Sequence, residues 1–146
     1  MRYFRTFFIV GFFSLALFGC QSKVAPNATE PVEVEPSTKN SDGYIDIDVE
    51  QLADQLQTKD FTLINVHIPF AGDIPDTDLT IPFDQIPAFV DQLPQDKDAP
   101  IVIYCRSGSM STQAAKTLVA LGYSNIQEVD GGMNAWVAFG QELITD

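Results

Sequence analysis

Apolar and polar positions divide the chain into three textures. Met1 to Gly19 is almost continuously apolar after Arg2 and Arg5, and Gln21 to Gly43 is polar and interrupted by Pro26, Pro31 and Pro36. From Tyr44 onward, short apolar runs alternate with helical spacings. Tyr44-Ile45-Asp46-Ile47 has the two-residue alternation of a strand. Asp48 followed by Gln51 has the spacing of a capping box, opening a helix that carries Leu52 and Leu56. Phe61 to Val66 predicts a second strand and Thr77 to Pro82 a short third one. Asp84 to Leu93 predicts a short helix with Pro87 in its first turn, where a missing N–H is tolerated. Ile101-Val102-Ile103-Tyr104 is the clearest buried strand, rich in β-branched side chains. A helix over Ser111–Leu121 stopped by Gly122, a strand over Ile126–Val129, and a helix over Met133–Phe139 stopped by Gly140 complete the pattern. About five strands alternating with helices through short connections imply an α/β fold, a mainly parallel sheet flanked by helices. No internal repeat is visible.

The expected organisation is a leader (1–19), a tether (20–43) and one domain (44–146). The apolar part of the leader is shorter than the roughly 20 residues needed to span a bilayer. With Arg2 and Arg5 ahead of it, it has the form of a secretory signal. It ends in Leu17-Phe18-Gly19-Cys20, which resembles the lipobox of bacterial lipoproteins. That resemblance implies cleavage before Cys20, lipidation of Cys20, and a chain anchored in the cell envelope facing the periplasm or the exterior. Gln21 in place of an aspartate favours the outer membrane where two membranes exist. Acyl chains contribute about 0.8 kcal/mol per buried methylene, so several of them make a stable membrane partner. An uncleaved signal-anchor segment is the other reading. The Pro- and Glu-rich tether buries too little surface to offset its ordering entropy and reads as a flexible spacer.

Charge narrows the partners. The 146 residues carry 8 basic and 20 acidic side chains, a net −12, and the two leader arginines belong to the basic set. So acidic a surface excludes nucleic acid as a partner. A small anionic substrate then needs a local electropositive pocket. Of the two cysteines, Cys20 belongs to the lipid site, and Cys105 stands in a different context. Separate chemistry for each is favoured over a disulfide between them.

Tyr104-Cys105-Arg106-Ser107-Gly108-Ser109-Met110-Ser111 lies between a buried strand and a helix, at the carboxyl edge of a parallel sheet, where open α/β folds bind ligands. A loop there can turn successive backbone N–H groups inward as an anion cradle, and the helix amino end adds positive potential. Small Ser107, Gly108 and Ser109 permit the bend. A cysteine at such a cradle has a depressed pKa and exists largely as thiolate near neutral pH. The same amides stabilise a persulfide anion.

Cys105-Arg106-Ser107-Gly108 after an apolar strand resembles the active-site loop of single-domain rhodaneses, the thiosulfate sulfurtransferases. Asp130-Gly131-Gly132-Met133-Asn134-Ala135-Trp136, followed by Gly140, is similar to the carboxyl-terminal signature of that family. The resemblance runs from about Tyr44 to the end. It implies a rhodanese-like fold and a double displacement in which Cys105 takes sulfane sulfur from thiosulfate or polysulfide. The resulting persulfide passes to a thiol, cyanide or protein acceptor, with no cofactor other than that covalent intermediate and no metal. By position, the resemblance makes Cys105 the nucleophile. Arg106, Ser107, Gly108, Ser109 and Met110 form the cradle, mainly through their amides.

The match departs from the family at three places. Met110 stands where many members carry arginine and cannot pair with a sulfonate, which favours a less charged donor. Asn65-Val66-His67 replaces a common Asp-Val-Arg. The following segment, Ile68 to Pro75, is shorter than usual, which either opens the pocket on one side or only trims a surface loop. His67 is expected near the site, as a proton donor or anion contact, or as a structural histidine satisfied by a backbone carbonyl. Arg106 is either a substrate contact or an outward-pointing surface residue, and Trp136 belongs to the core. Cysteine phosphatases need an arginine where Ser111 stands, so phosphoryl chemistry is disfavoured. The remaining rival to an enzyme is a non-catalytic rhodanese-like module that binds a partner or senses persulfide.

Overall fold

In the computed structural model, Ile45–Ile47 (β1), Thr62–Asn65 (β2), Leu79–Thr80 (β3), Ile101–Tyr104 (β4) and Ile126–Val129 (β5) form one five-stranded sheet. All neighbours run parallel, in the spatial order β1-β5-β4-β2-β3. The structure describes residues 38–145, inside the compact unit Glu35–Asp146. The leader, the lipid-site Cys20 and most of the acidic tether lie outside the described residues. No helix among the described residues is long and apolar enough to cross a membrane.

The two-residue period of the strands builds two apolar layers, one on each face of the sheet. Ile101 and Ile103 of β4 point with Ile64 and Ile126 into the layer beneath α2 (Ser109–Ala120), which contributes Ala114, Ala115 and Leu118. Val102 and Tyr104 point the other way, with Leu63 and Val129, against α1 (Val49–Leu56) and α3 (Gly132–Ala138). Every residue of β4 is buried, as expected for the central strand of a sheet covered on both faces. The odd-numbered face of β4 continues into Cys105, which packs in the α2-side layer. Strand parity therefore aims the cysteine at α2 and not at α3.

Local signals place most elements where the sequence predicts them. Asp48 caps α1: its carboxylate accepts the Gln51 N–H at 2.8 Å, and the Gln51 side chain accepts the Asp48 N–H at 3.0 Å. Trp136 is buried, and its indole N–H donates to the Glu142 carbonyl at 3.1 Å. Two expectations need correction. The Asp84–Leu93 helix is a shorter 3₁₀ helix over Ile86–Gln92, with Pro87 in its first turn and no side-chain cap from Gln85. The helix expected from Ser111 begins at Ser109, because Gly108 adopts φ +96° and turns the chain early.

Candidate active site

The Cys105 side chain is almost inaccessible, yet its sulfur is not enclosed by hydrocarbon alone. Sγ accepts the Gly108 N–H at 3.1 Å and the Ser111 hydroxyl at 3.3 Å. Burial pushes the thiol pKa up. The Ser111 hydroxyl and amide, with the amides of Ser107 and Met110, outweigh that effect and bring it below the usual thiol value. The first turn of α2 is fastened to the same bend, since the N–H and hydroxyl of Thr112 donate to the Gly108 carbonyl at 2.9 and 2.8 Å. Ser107 and Ser109 are exposed and Gly108 half-buried, so the bend meets solvent while its amides point inward.

The second sequence signature closes the loop from below. Met133 and Asn134, in the first turn of α3, donate their N–H groups to the Cys105 and Arg106 carbonyls at 2.9 and 3.0 Å. This approach needs Gly132, where a Cβ would stand 2.1 Å from the Cys105 carbonyl oxygen. The two distant motifs are thus the two halves of one site: one presents the sulfur, and the other holds the carbonyls behind it.

Arg106 is exposed and borders a cavity of about 340 Å³ with Ala71, Met133, Asn134, Val137 and Leu143. Ala71 belongs to the short segment after β2, so that segment forms part of the cavity wall beside the loop. His67 is buried and makes no hydrogen bond to Cys105, and its Nδ1 has no partner. Burial, and then the Arg106 charge, lower its pKa, which favours a neutral ring at neutral pH. Met110 packs its side chain against the apolar layer, so the sixth loop position contributes only its amide. Among the described residues no cluster of His, Cys, Asp or Glu is arranged to hold a metal ion.

Sequence reasoning named Asn65 only as a departure from the family pattern, without its role, and passed over a second feature altogether. Asn65 is wholly buried; its amide donates to the Gly72 carbonyl at 3.0 Å and to Asp73 at 2.8 Å, and its oxygen accepts the His67 N–H at 2.9 Å. It ties the end of β2 to the short segment that walls the cavity. The second feature is Glu128. It is buried at the end of β5, and the Ser111 oxygen lies 2.5 Å from its carboxyl. A charged residue in a strand with parallel neighbours on both sides was the available signal.

Comparison with known proteins agrees with this geometry. Residues 47–139 match the rhodanese-like domain family. A sulfurtransferase of Allochromatium vinosum is 37% identical over 103 residues, covering 68% of this chain and 94% of that protein. A thiosulfate sulfurtransferase of Pseudomonas entomophila is 44% identical over 41 residues, which is 28% of this chain and 38% of that protein. Among solved structures, a rhodanese-like domain protein from Staphylococcus aureus superposes with TM-score 0.57 at 29% identity, covering 68% of this chain and 98% of that one. A rhodanese-related protein from Thermoplasma volcanium shares the fold, with TM-score 0.59 at 24% identity over 69% of this chain and 98% of that one. The matched span contains β4, the cysteine loop and the Gly-Gly helix start that grips it, and the chain belongs to the rhodanese-like family.

Proposed function

We propose that this protein is a sulfurtransferase that carries sulfane sulfur as a persulfide on Cys105. The observation that carries this reading is the cysteine sulfur seated on the Gly108 amide and the Ser111 hydroxyl at the start of α2. Donors fixed before reaction stabilise the thiolate, and then the terminal sulfur anion, without reorganising. In the first half-reaction the thiolate attacks the outer sulfur of thiosulfate or polysulfide. The donor S–S bond breaks, and sulfite or a shortened polysulfide leaves with the electron pair. In the second, cyanide or an acceptor thiolate attacks the terminal sulfur, and Cys105 leaves as thiolate. Arg106, exposed and next to Cys105 in the chain, is the loop's own cation for an incoming anion in this reading.

With a half-buried Met110 packed against the edge of the apolar layer, no arginine stands at the sixth position. This favours polysulfide over thiosulfate as donor. The same observation supports the second reading, a module that binds a partner or holds a persulfide without turnover. The test is multiple-turnover transfer by the full chain from each donor to cyanide, read as thiocyanate, beside Cys105→Ser. Turnover lost in the variant supports the enzyme. Loading of Cys105 without turnover supports the sensor, and neither loading nor turnover with any donor or acceptor supports the binding module. We further propose that lipidated Cys20 holds the chain at the cell envelope, so Cys20→Ser is expected to release it from the membrane fraction. Retention of that variant would contradict the anchor.

A further inference from the structure

Ser111 has one hydroxyl proton and three acceptors within reach: the Cys105 sulfur at 3.3 Å, the Gly108 carbonyl at 3.0 Å and the Glu128 carboxyl at 2.5 Å. It cannot donate to all three. If it donates to Glu128, it accepts from the Cys105 thiol; if it donates to the sulfur, it accepts from a protonated Glu128. These two patterns are the ends of one proton shift along Cys105–Ser111–Glu128. Strand parity supports the alignment, because Glu128 lies two residues beyond Ile126 on the face of β5 that meets α2.

The surroundings of Glu128 leave it few other partners. The residue is 3% exposed, and the Gly108 bend packs beside it, since a Cβ there would be in van der Waals contact, 3.8 Å from the carboxyl oxygen. Its register neighbours are Asp46 on β1 and Ile103 on β4, and Asp130 lies just past the end of its own strand. From α2 it meets the Ser111 hydroxyl, with the Cys105 sulfur behind it. Among the described residues no lysine or arginine pairs with it. Burial first, then the Asp46 and Asp130 charges, raise its pKa to about 7 in spite of the Ser111 bond. A carboxyl in that position resists ionising beside a second anion.

We propose that Glu128, acting through Ser111, takes the thiol proton of Cys105 and keeps it while the sulfur is anionic. The S–H bond breaks as the proton passes to the Ser111 oxygen, and the Ser111 proton passes to Glu128. The pair keeps one proton and one negative charge throughout, and no redox partner is involved. Glu128 is a positioning residue for that proton and does not touch the substrate. The inference rests on Cys105 being the working thiol of the transferase, but its test needs no sulfur donor.

The experiment is the rate of Cys105 alkylation by iodoacetamide against pH, using the full chain with the adduct located by peptide mass. The unmodified sequence is expected to show two rises, as the doubly protonated pair loses its first proton and then, at higher pH, the shared one. Glu128→Gln keeps the side-chain shape but cannot store the proton, and is expected to collapse the profile to one rise. Its midpoint should lie below the upper rise of the parent. One rise with a common midpoint in both proteins would overturn the proposal, because a purely structural glutamate leaves the titration of the sulfur unchanged in shape. A second reading requires no variant. Alkylation near pH 7 removes the anionic sulfur and should let Glu128 release its proton and ionise, weakening the infrared carbonyl band of a protonated carboxyl. An unchanged band would overturn the proposal equally.

Discussion

Gly132→Ala tests whether the carboxyl-terminal signature holds the cysteine loop. The added Cβ would lie 2.1 Å from the Cys105 carbonyl oxygen and 2.9 Å from its carbon, where ordinary contact begins at 3.4 Å. Both atoms are backbone, so no side chain can swing aside. Left-handed geometry (φ +50° here) costs a residue with a Cβ about 1–2 kcal/mol. Overpacking adds about 1–3 kcal/mol. Lengthening of the Met133 and Asn134 bonds to the loop carbonyls adds a further loss of about 1 kcal/mol. Gly140→Ala is the control: its φ is +90° with nothing within 4 Å of the new Cβ, so only backbone strain applies. The variants should therefore differ by roughly 2–4 kcal/mol. At about 4–8 °C per kcal/mol for a domain near this size, Gly132→Ala should melt on the order of 10 °C or more below Gly140→Ala. Thermal unfolding by circular dichroism measures the difference, and Cys105 alkylation should slow in Gly132→Ala alone. Equal melting temperatures with equal alkylation rates would refute the idea that this glycine sets the loop.

Three further outcomes follow from the same structure. Ser111→Ala leaves the Glu128 carboxyl buried without its hydroxyl partner, so a loss of about 1–3 kcal/mol in urea unfolding is expected. It should also raise the Cys105 pKa, and undiminished alkylation at neutral pH would count against the hydroxyl's role. Met110→Arg should raise thiosulfate turnover, and an unchanged or lower rate would contradict the reading of that position. Glu128 ionises at 4.5 when unfolded and at about 7 when folded, so the folded state holds the extra proton between these values. Its contribution to stability should fall as pH rises across that window and stay flat above it, by at most about 3 kcal/mol. The gap in unfolding free energy between Glu128→Gln and the parent should widen in favour of the glutamine from pH 5 to 8, and a constant gap would exclude the shift.

Where neighbours along the chain decide the structure, the sequence is readable. The β-branched run at Ile101–Ile103 and the Asp48–Gln51 pair each act within a few residues and have the expected structural consequence, and the glycine after Ser107 makes the expected bend but starts the helix two residues early. The five-stranded parallel sheet is legible for the same reason, since short strand–helix alternation leaves few other arrangements. Contacts made across the fold are not legible in this way. Nothing near Glu128 announces that strand parity will turn it towards Ser111, and nothing near Asn65 shows that its partners are Gly72 and Asp73. The antiparallel bridge between Asp73 and Ile144 joins segments 71 residues apart and has no local signature. At the site, Cys105 and the loop were readable as a cradle from residue size and position. That Met110 packs against the edge of the apolar layer, and that Arg106 and Ala71 share a cavity, emerges only from packing.

The most direct test of the central claim is peptide mass spectrometry of Cys105 after the full chain meets polysulfide or thiosulfate without any acceptor. One added sulfur atom on the Cys105 peptide, removed by cyanide and absent in Cys105→Ser, is the expected result. A Cys105 peptide that stays unmodified with both donors at neutral pH, while the chain remains folded, would contradict it.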